Sequence, residues 1–431
     1  MSNAASTNNP QFHISPDTAL IDERASIRLS GLPPDQTVTI RAQMGNDWSS
    51  HAVFQTDASG EIALAAQKPL SGTYDVADSM GLVWSMQFAD PESFQLWELW
   101  GKSLDPTIIH LTAEIDNELV ARAQLKRLQV LDGVKRTVVR DEGLRATFFE
   151  PADPGPHPAI ILVSGSGGGL NENRAALYAS RGIAALALAY FSYDDLPKGL
   201  VEIPLEYFET AIQWLQNHDN VDGDRIAMSG SSRGGELSLL AGATFPQIKA
   251  VVAYVPSGYA WGGLGEGAET PKAAWTYKGQ PVSYVSSDRS PETEKLYAEL
   301  SEKGEPIPLT PNFHASFKAA DNLESALISV EKINGAILLL SGDDDQMWPS
   351  SYFSKLIMQR LAEHNFPHPY KHIGYPGAGH LVLTPHIPTT ITYSRHPVVP
   401  SAFAYGGNAP GGAFANEDSW KQTLEFLREN L

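Results

Sequence analysis

Apolar and polar positions alternate in short stretches over the first third of the chain, and then the period changes. Ala25-Ser26-Ile27-Arg28-Leu29 and Val38-Thr39-Ile40-Arg41 repeat every second residue, as strands do when they bury one face. Turn-forming runs such as Asp57-Ala58-Ser59-Gly60 separate them, and the stretches 108–115 and 118–128 close the series. Roughly seven short strands in such a span predict an all-β, immunoglobulin-like sandwich over residues 10–135. From residue 136 the apolar positions become continuous. His157-Pro158-Ala159-Ile160-Ile161-Leu162-Val163, Arg225-Ile226-Ala227-Met228-Ser229 and Ala336-Ile337-Leu338-Leu339-Leu340 read as strands buried on both faces of a parallel sheet. Strand and helix patterns alternate, as in 181–190 and 203–217, which predicts a doubly wound, mostly parallel sheet over residues 136–431. Residues 258–330 interrupt this rhythm with Gly, Pro and Trp, including Trp261-Gly262-Gly263. They read as an insertion, either a cap over the ligand edge of the sheet or a structural tether.

Composition narrows the partners more than the fold. The length of 431 residues suits two or three domains, and 42% hydrophobic residues suffice for sizeable cores. No apolar run is long enough to span a bilayer. A formal charge of −19 argues against nucleic acid or an anionic membrane as partner. The absence of cysteine excludes disulfides and thiolate metal sites. Residues 1–15 lack the basic region and apolar core of a signal peptide. A cytoplasmic location is therefore expected, with a leader removed upstream left open. Oligomeric state is not set by any of these features.

Chemistry enters at Gly230-Ser231-Ser232-Arg233-Gly234, a G-x-S-x-G run between the 225–229 strand and a helical stretch over 235–243. This is the pattern of a nucleophile elbow: a sharp strand-to-helix turn, with small flanking residues, lifts the serine hydroxyl clear of the sheet. A serine nucleophile needs a base, and the base needs an orienting carboxylate, in the chain order Ser, Asp, His. The strand 336–340 runs into Ser341-Gly342-Asp343-Asp344-Asp345, and the strand candidate 370–373 runs into Gly374-Tyr375-Pro376-Gly377-Ala378-Gly379-His380. Both sit at carboxyl ends of strands, where open parallel sheets carry their ligands. Ser232, Asp345 and His380 are the candidate triad, with Asp344 the alternative acid one residue away. The three aspartates also suit a solvated turn or a cation site, but no H-x-x-x-H-like cluster completes a metal shell. Oxyanion donors are expected from the backbone amide of Arg233 and from Ser166 or Gly167 in the loop Ser164-Gly165-Ser166-Gly167-Gly168-Gly169. That loop has two competing readings. A phosphate loop would need G-x-x-x-x-G-K-[ST], which is absent; a dinucleotide fingerprint would recruit Asp194 or Asp195 but leaves the elbow, aspartate and histidine unexplained.

These residues sit among longer blocks that resemble the acyl-CoA thioesterases of the group that also contains bile acid-CoA:amino acid N-acyltransferase. In the amino-terminal part the similar blocks are Leu32-Pro33-Pro34, Val38-Thr39-Ile40-Arg41-Ala42 and Met80-Gly81-Leu82-Val83-Trp84-Ser85-Met86. Further on they are Gly167-Gly168-Gly169-Leu170 with Arg174-Ala175, Ala187-Leu188-Ala189-Tyr190-Phe191, Asp195-Leu196-Pro197 and Leu205-Glu206-Tyr207-Phe208-Glu209. Ser232-Arg233-Gly234-Gly235-Glu236-Leu237, Asp344-Asp345 with Trp348, the run Tyr375 to Leu381, and Glu417-Asp418-Ser419-Trp420 complete the series in family order. The resemblance implies an α/β-hydrolase fold behind the sandwich, a Ser232–Asp345–His380 triad, no metal or redox cofactor, and an acyl-CoA or ester substrate. It further implies hydrolysis, because the conjugating members carry cysteine at the elbow and this chain carries serine. Carboxylesterase or peptidase action on a non-CoA substrate, and N-acyl transfer to an amino acid, are the alternatives. The net negative charge sits awkwardly with the anionic phosphates of CoA and calls for a local basic cluster.

Overall fold

The alternation in the amino-terminal third becomes strands with one buried face. In Thr37–Met44 the side chains of Val38, Ile40 and Ala42 are buried, while Thr37, Arg41 and Gln43 face solvent. The computed structural model describes residues 9–395 and 402–431, apart from 92, 100–102 and 288. Residues 1–8, part of the stretch read for a leader, lie outside the described residues.

The chain separates into two units, Met1–Gln129 with Thr384–Ile391, and Val130–Leu383 with Thr392–Leu431. The first is all-β apart from short helical turns. One sheet has the order Thr18–Leu20, Glu118–Leu128, Thr107–Ile115, Thr37–Met44, Trp48–Gln55, Ser71–Gly72, and a smaller one joins Gln11–Ser15, Ser26–Ser30 and Ile62–Ala63. Pairing is antiparallel except where Lys126–Leu128 runs parallel to Thr18–Leu20. Trp48 anchors the core edge-on to Phe88 and Phe94, at 5.0 and 5.9 Å between ring centroids. The segment Thr384–Ile391 joins this unit although local pattern groups it with the residues after 136. Thr389 donates its N–H to the Trp84 carbonyl (2.9 Å), and Thr390 Oγ1 donates to that of Met86 (2.6 Å). Such long-range bonds leave no trace in periodicity.

The second unit is built on eight strands: β1 (Lys135–Val139), β2 (Arg145–Glu150), β3 (His157–Val163), β4 (Ala184–Ala189), β5 (Val221–Ser231), β6 (Ile248–Tyr254), β7 (Ala336–Gly342) and β8 (Tyr370–Tyr375). Their spatial order is β1-β2-β4-β3-β5-β6-β7-β8. β2 runs antiparallel to β1 and β4, and all other neighbours are parallel. Every residue of β4 and β7 is buried, which is why β4 and residues 336–340 of β7 are continuously apolar rather than alternating. The helices are α1 (Glu172–Ser180), α2 (Glu206–Gln216), α3 (Arg233–Thr244), α4 (Ser350–Glu363) and α5 (Ala409–Asn430). α1 and α5 meet through Tyr178 and Trp420, 4.7 Å between rings. Phe208 of α2, Leu237 of α3 and Ile357 of α4 share a core with Ile161, Met228, Val251 and Leu339 of the sheet. This is the doubly wound α/β-hydrolase architecture expected from the alternation of strand and helix.

The insertion is not a bare loop. It contributes the helices Pro291–Glu302, Thr310–Ala319 and Leu323–Ala326, and the strands Trp275–Tyr277 and Gln280–Pro281 that form a small sheet with Ile203–Pro204. Its Trp261, Val285 and Ala326 form one apolar cluster with Trp348 and Phe353, against which Phe313 and Phe317 pack.

Candidate active site

β5 ends at Ser231 and α3 starts at Arg233, so Ser232 alone makes the turn between them. It does so at φ 60°, ψ −121°, a backbone region that costs a non-glycine residue about 1–3 kcal/mol. Two backbone bonds hold it there: the Ser232 N–H donates to the Tyr254 carbonyl at 2.9 Å, and the Ser232 carbonyl accepts from Glu236 N at 3.0 Å. The flanking glycines are required by space. A Cβ on Gly230 would lie 2.4 Å from the Gly234 carbonyl oxygen, and one on Gly234 would lie 2.5 Å from that of Ser164. Both obstacles are backbone, so neither yields without moving the elbow. Gly234→Ala is accordingly expected to cost about 1–3 kcal/mol of stability, seen as a lower Tm, and to reduce turnover by displacing residues 163–165.

The acid and the imidazole come from the next strands at the same edge of the parallel sheet. β7 leads to Asp345 and β8 to His380, two and three strands away from β5. His380 Nδ1 lies 3.0 and 2.9 Å from the two carboxylate oxygens of Asp345. Asp345 is held by three further donors: the amides of Met347 (3.0 Å) and Trp348 (3.2 Å) on Oδ1, and Ser350 Oγ (2.6 Å) on Oδ2. Its side chain is 1% exposed and that of His380 is 8% exposed, so the pair sits in a low-dielectric setting where such bonds are strong. Asp344 and Asp343 turn elsewhere. Asp344 accepts the Gly407 amide at 2.9 Å, and Asp343 accepts Ser351 Oγ at 2.9 Å. The structure thus brings Asp345 and His380 into direct contact; it records no hydrogen bond between His380 and Ser232.

The loop after β3 lies against the elbow. A Cβ on Gly165 would stand 2.8 Å from the Ser231 carbonyl oxygen and 3.4 Å from Ser232 Cβ. Ser166 and Gly167 form the turn that follows, closed by a Gly168 N–H bond to the Gly165 carbonyl (3.2 Å). Tyr190 Oη pins the start of the loop by donating to the Ser164 carbonyl at 2.8 Å. Asp195, a candidate acid for a dinucleotide site, is engaged by Arg145: Nε and Nη2 each reach a carboxylate oxygen at 2.6 Å. That hydrogen bonding holds the Asp195 carboxyl below its ordinary pKa. Among the described residues no cluster of three or more His, Asp or Glu side chains is arranged to hold a metal ion, and no helix is long and apolar enough to cross a membrane.

Two contributors escaped the sequence reading. Ser350, the first residue of α4, caps the Asp345 carboxylate. The segment around Tyr405-Gly406-Gly407 supports the histidine loop: His380 N donates to the Tyr405 carbonyl at 2.8 Å, and a Cβ on Gly379 would meet the Gly406 carbonyl oxygen at 2.3 Å. The available signal was the glycine pair itself, at φ 74° and 77°.

Comparison with known proteins places this geometry in a family. Residues 203–431 match the family model described as BAAT / Acyl-CoA thioester hydrolase C terminal, and residues 22–141 match the Acyl-CoA thioester hydrolase/BAAT N-terminal region. Mitochondrial acyl-coenzyme A thioesterase 2 of Mus musculus is 33% identical, over 95% of this chain and 87% of its own. Acyl-coenzyme A thioesterase 1 of Rattus norvegicus is also 33% identical, over 95% and 94%. The peroxisomal succinyl-coenzyme A thioesterase of Mus musculus is 31% identical over the same shares. A solved α/β hydrolase from Penicillium sp. sh18 covers 70% of this chain and 96% of its own at 17% identity, with a TM-score of 0.39. The breadth of the sequence matches, across both units, shows that this chain belongs to the acyl-CoA thioester hydrolase/BAAT family.

Proposed function

We propose that the protein hydrolyses acyl-CoA thioesters through Ser232, His380 and Asp345. The observation that carries this reading is the buried Asp345–His380 pair, 2.9 Å apart, at the sheet edge that also presents a serine on a strained elbow. Asp345 accepts the Nδ1 proton of His380 and so leaves Nε2 as the base. His380 takes the Ser232 proton as Oγ adds to the thioester carbonyl, forming a tetrahedral oxyanion. The amide of Arg233 and one from Ser166 or Gly167 donate to that oxyanion. Collapse breaks the carbon–sulfur bond, and His380 returns the proton to the departing thiolate. Water, deprotonated by the same imidazole, then releases the carboxylic acid from the acyl-serine and restores the enzyme.

Hydrolysis rather than amide formation follows from the nucleophile. An acyl-serine is an oxygen ester, less reactive towards amines than the thioester that a cysteine would form. With acyl-CoA and excess glycine or taurine, free carboxylic acid is expected as the main product and amide as a trace at most. Mass analysis of the products checks this, and N-acylglycine as the principal product would replace the hydrolase by a transferase. Free-thiol release across acyl-CoAs of graded chain length identifies the substrate class; inert acyl-CoAs beside rapidly cleaved aryl esters would make the protein a carboxylesterase. A cytoplasmic location belongs to the same proposal, and cell fractionation tests it.

A further inference from the structure

The first turn of α3 carries a buried ion pair that the proposed chemistry does not use. Arg233 is 5% exposed and Glu236 is fully buried, with Arg233 Nη1 and Glu236 Oε2 3.3 Å apart. Their other bonds run to the insertion. Arg233 Nη2 donates to the carbonyls of Trp261 (2.8 Å) and Gly262 (3.2 Å). Glu236 Oε1 accepts the Trp275 indole N–H (2.8 Å) and the Trp261 amide (3.3 Å). Trp261 and Trp275 are themselves 1% exposed. The Trp261 stretch is tied in turn to the rest of the insertion, through Ala260 N to the Ala326 carbonyl (2.9 Å) and Gly262 N to that of Val285 (3.1 Å). Burial raises the Glu236 pKa, and the Arg233 charge is the largest influence opposing it.

Burying two charges is expensive, and an apolar pair of similar volume often serves stability as well. What charge-assisted, two-pronged bonds add is geometric definition. Here the definition falls on one peptide plane. The Ser232 carbonyl and the Arg233 N–H belong to the same peptide unit, and its carbonyl is held by the Glu236 amide at 3.0 Å. Arg233 carries that N–H and Glu236 N holds that carbonyl, and the side chains of both are bonded to the insertion. We infer that Arg233 and Glu236 are positioning residues: their ion pair clamps residues 261, 262 and 275 to the elbow and fixes the direction of the Arg233 amide. This rests on the proposed role of that amide as an oxyanion donor. The stretch around Trp261 is then held fixed against the proposed catalytic turn.

The test separates positioning from folding. Each variant is counted by active-site titration with a fluorophosphonate, so that kcat refers to folded sites, and kcat, KM and the inactivation rate constant are measured together. Glu236→Gln keeps an acceptor for Trp275 and Trp261 but removes the charge facing Arg233. Its kcat and its inactivation rate constant are expected to fall together by about 10- to 100-fold, with KM within about threefold of wild type, since a misdirected donor is lost in the transition state and not in binding. Arg233→Met is expected to show the same loss, and Arg233→Lys, which restores a cation opposite Glu236, to regain at least tenfold of it. Trp275→Phe removes the indole donor together with part of a buried ring that packs on Tyr190 and Phe208, keeps both charges, and is expected to lower kcat per titrated site by about threefold or more; it reports even if the charge variants do not fold. Unchanged kcat per site in Glu236→Gln or Trp275→Phe, or a change confined to KM, overturns the inference. Failure of the underlying mechanism reads differently: wild-type protein would escape labelling at Ser232, or Ser232→Ala would keep its turnover.

Discussion

Replacing Ser232 by alanine is expected to lower thioester turnover by about 10⁵-fold or more while leaving the protein folded. On the proposed mechanism the hydroxyl, the imidazole and the carboxylate act as one unit, so the expected loss is that large, and what survives is the modest acceleration from oxyanion donors and substrate binding. Stability should change little, since alanine at φ 60° carries much the same backbone strain as serine. Ser232→Gly then serves as the companion measurement. Glycine adopts positive φ without penalty, so this variant should be as inactive as Ser232→Ala but melt at a higher temperature, the mark of a strained functional position. A serine-directed phosphonate should label Ser232 and spare Ser231. Near wild-type turnover by Ser232→Ala would end the serine-hydrolase reading.

Asp345→Asn is expected to cost about 10⁴-fold in turnover. The carboxylate oxygens that face His380 Nδ1 at 2.9 and 3.0 Å also accept two backbone amides and the Ser350 hydroxyl. An asparagine must point its NH₂ at one of these donors or at the imidazole. If it faces Nδ1, the imidazole is driven to the tautomer with its proton on Nε2, which cannot accept from Ser232. Asp344→Asn should be far milder, because that side chain bonds the Gly407 amide and Gln346 rather than the imidazole. A kcat comparison of the two variants checks the assignment, and a greater loss in Asp344→Asn would move the acid by one residue. Ser350→Ala, which removes one donor to the Asp345 carboxylate, should fall between them.

Local sequence carried much of this protein, and the reasons are specific. Stretches buried on both faces must be apolar throughout, which makes residues 159–163 of β3 and 336–340 of β7 legible. A turn as tight as the one at Ser232 admits only glycine at Gly230 and Gly234, because backbone oxygens lie within 2.5 Å of where their Cβ atoms would be; that steric demand is what G-x-S-x-G records. The extent of β5 was less legible. The structure begins it at Val221, ahead of the apolar core at Ile226, where a register irregularity against β3 lets polar residues into the strand.

Side-chain direction was beyond pattern. Three adjacent aspartates have the same composition, and only the turn into α4, with the Met347 and Trp348 amides and Ser350 closing on one carboxylate, selects the one that faces His380. The same holds for Thr384–Ile391, which follows the candidate histidine in sequence yet hydrogen-bonds to Trp84 and Met86. It holds again for Arg233 and Glu236, whose spacing suggests an ordinary helical pair but whose partners lie 25 to 39 residues away. Periodicity and steric necessity act between near neighbours, so the elements, their order and the tight turns are legible from local sequence alone. Hydrogen-bond partners distant in the chain meet only once the elements have packed, so which aspartate reaches the imidazole, and which residues bond the side chains of Arg233 and Glu236, emerge only in the folded chain.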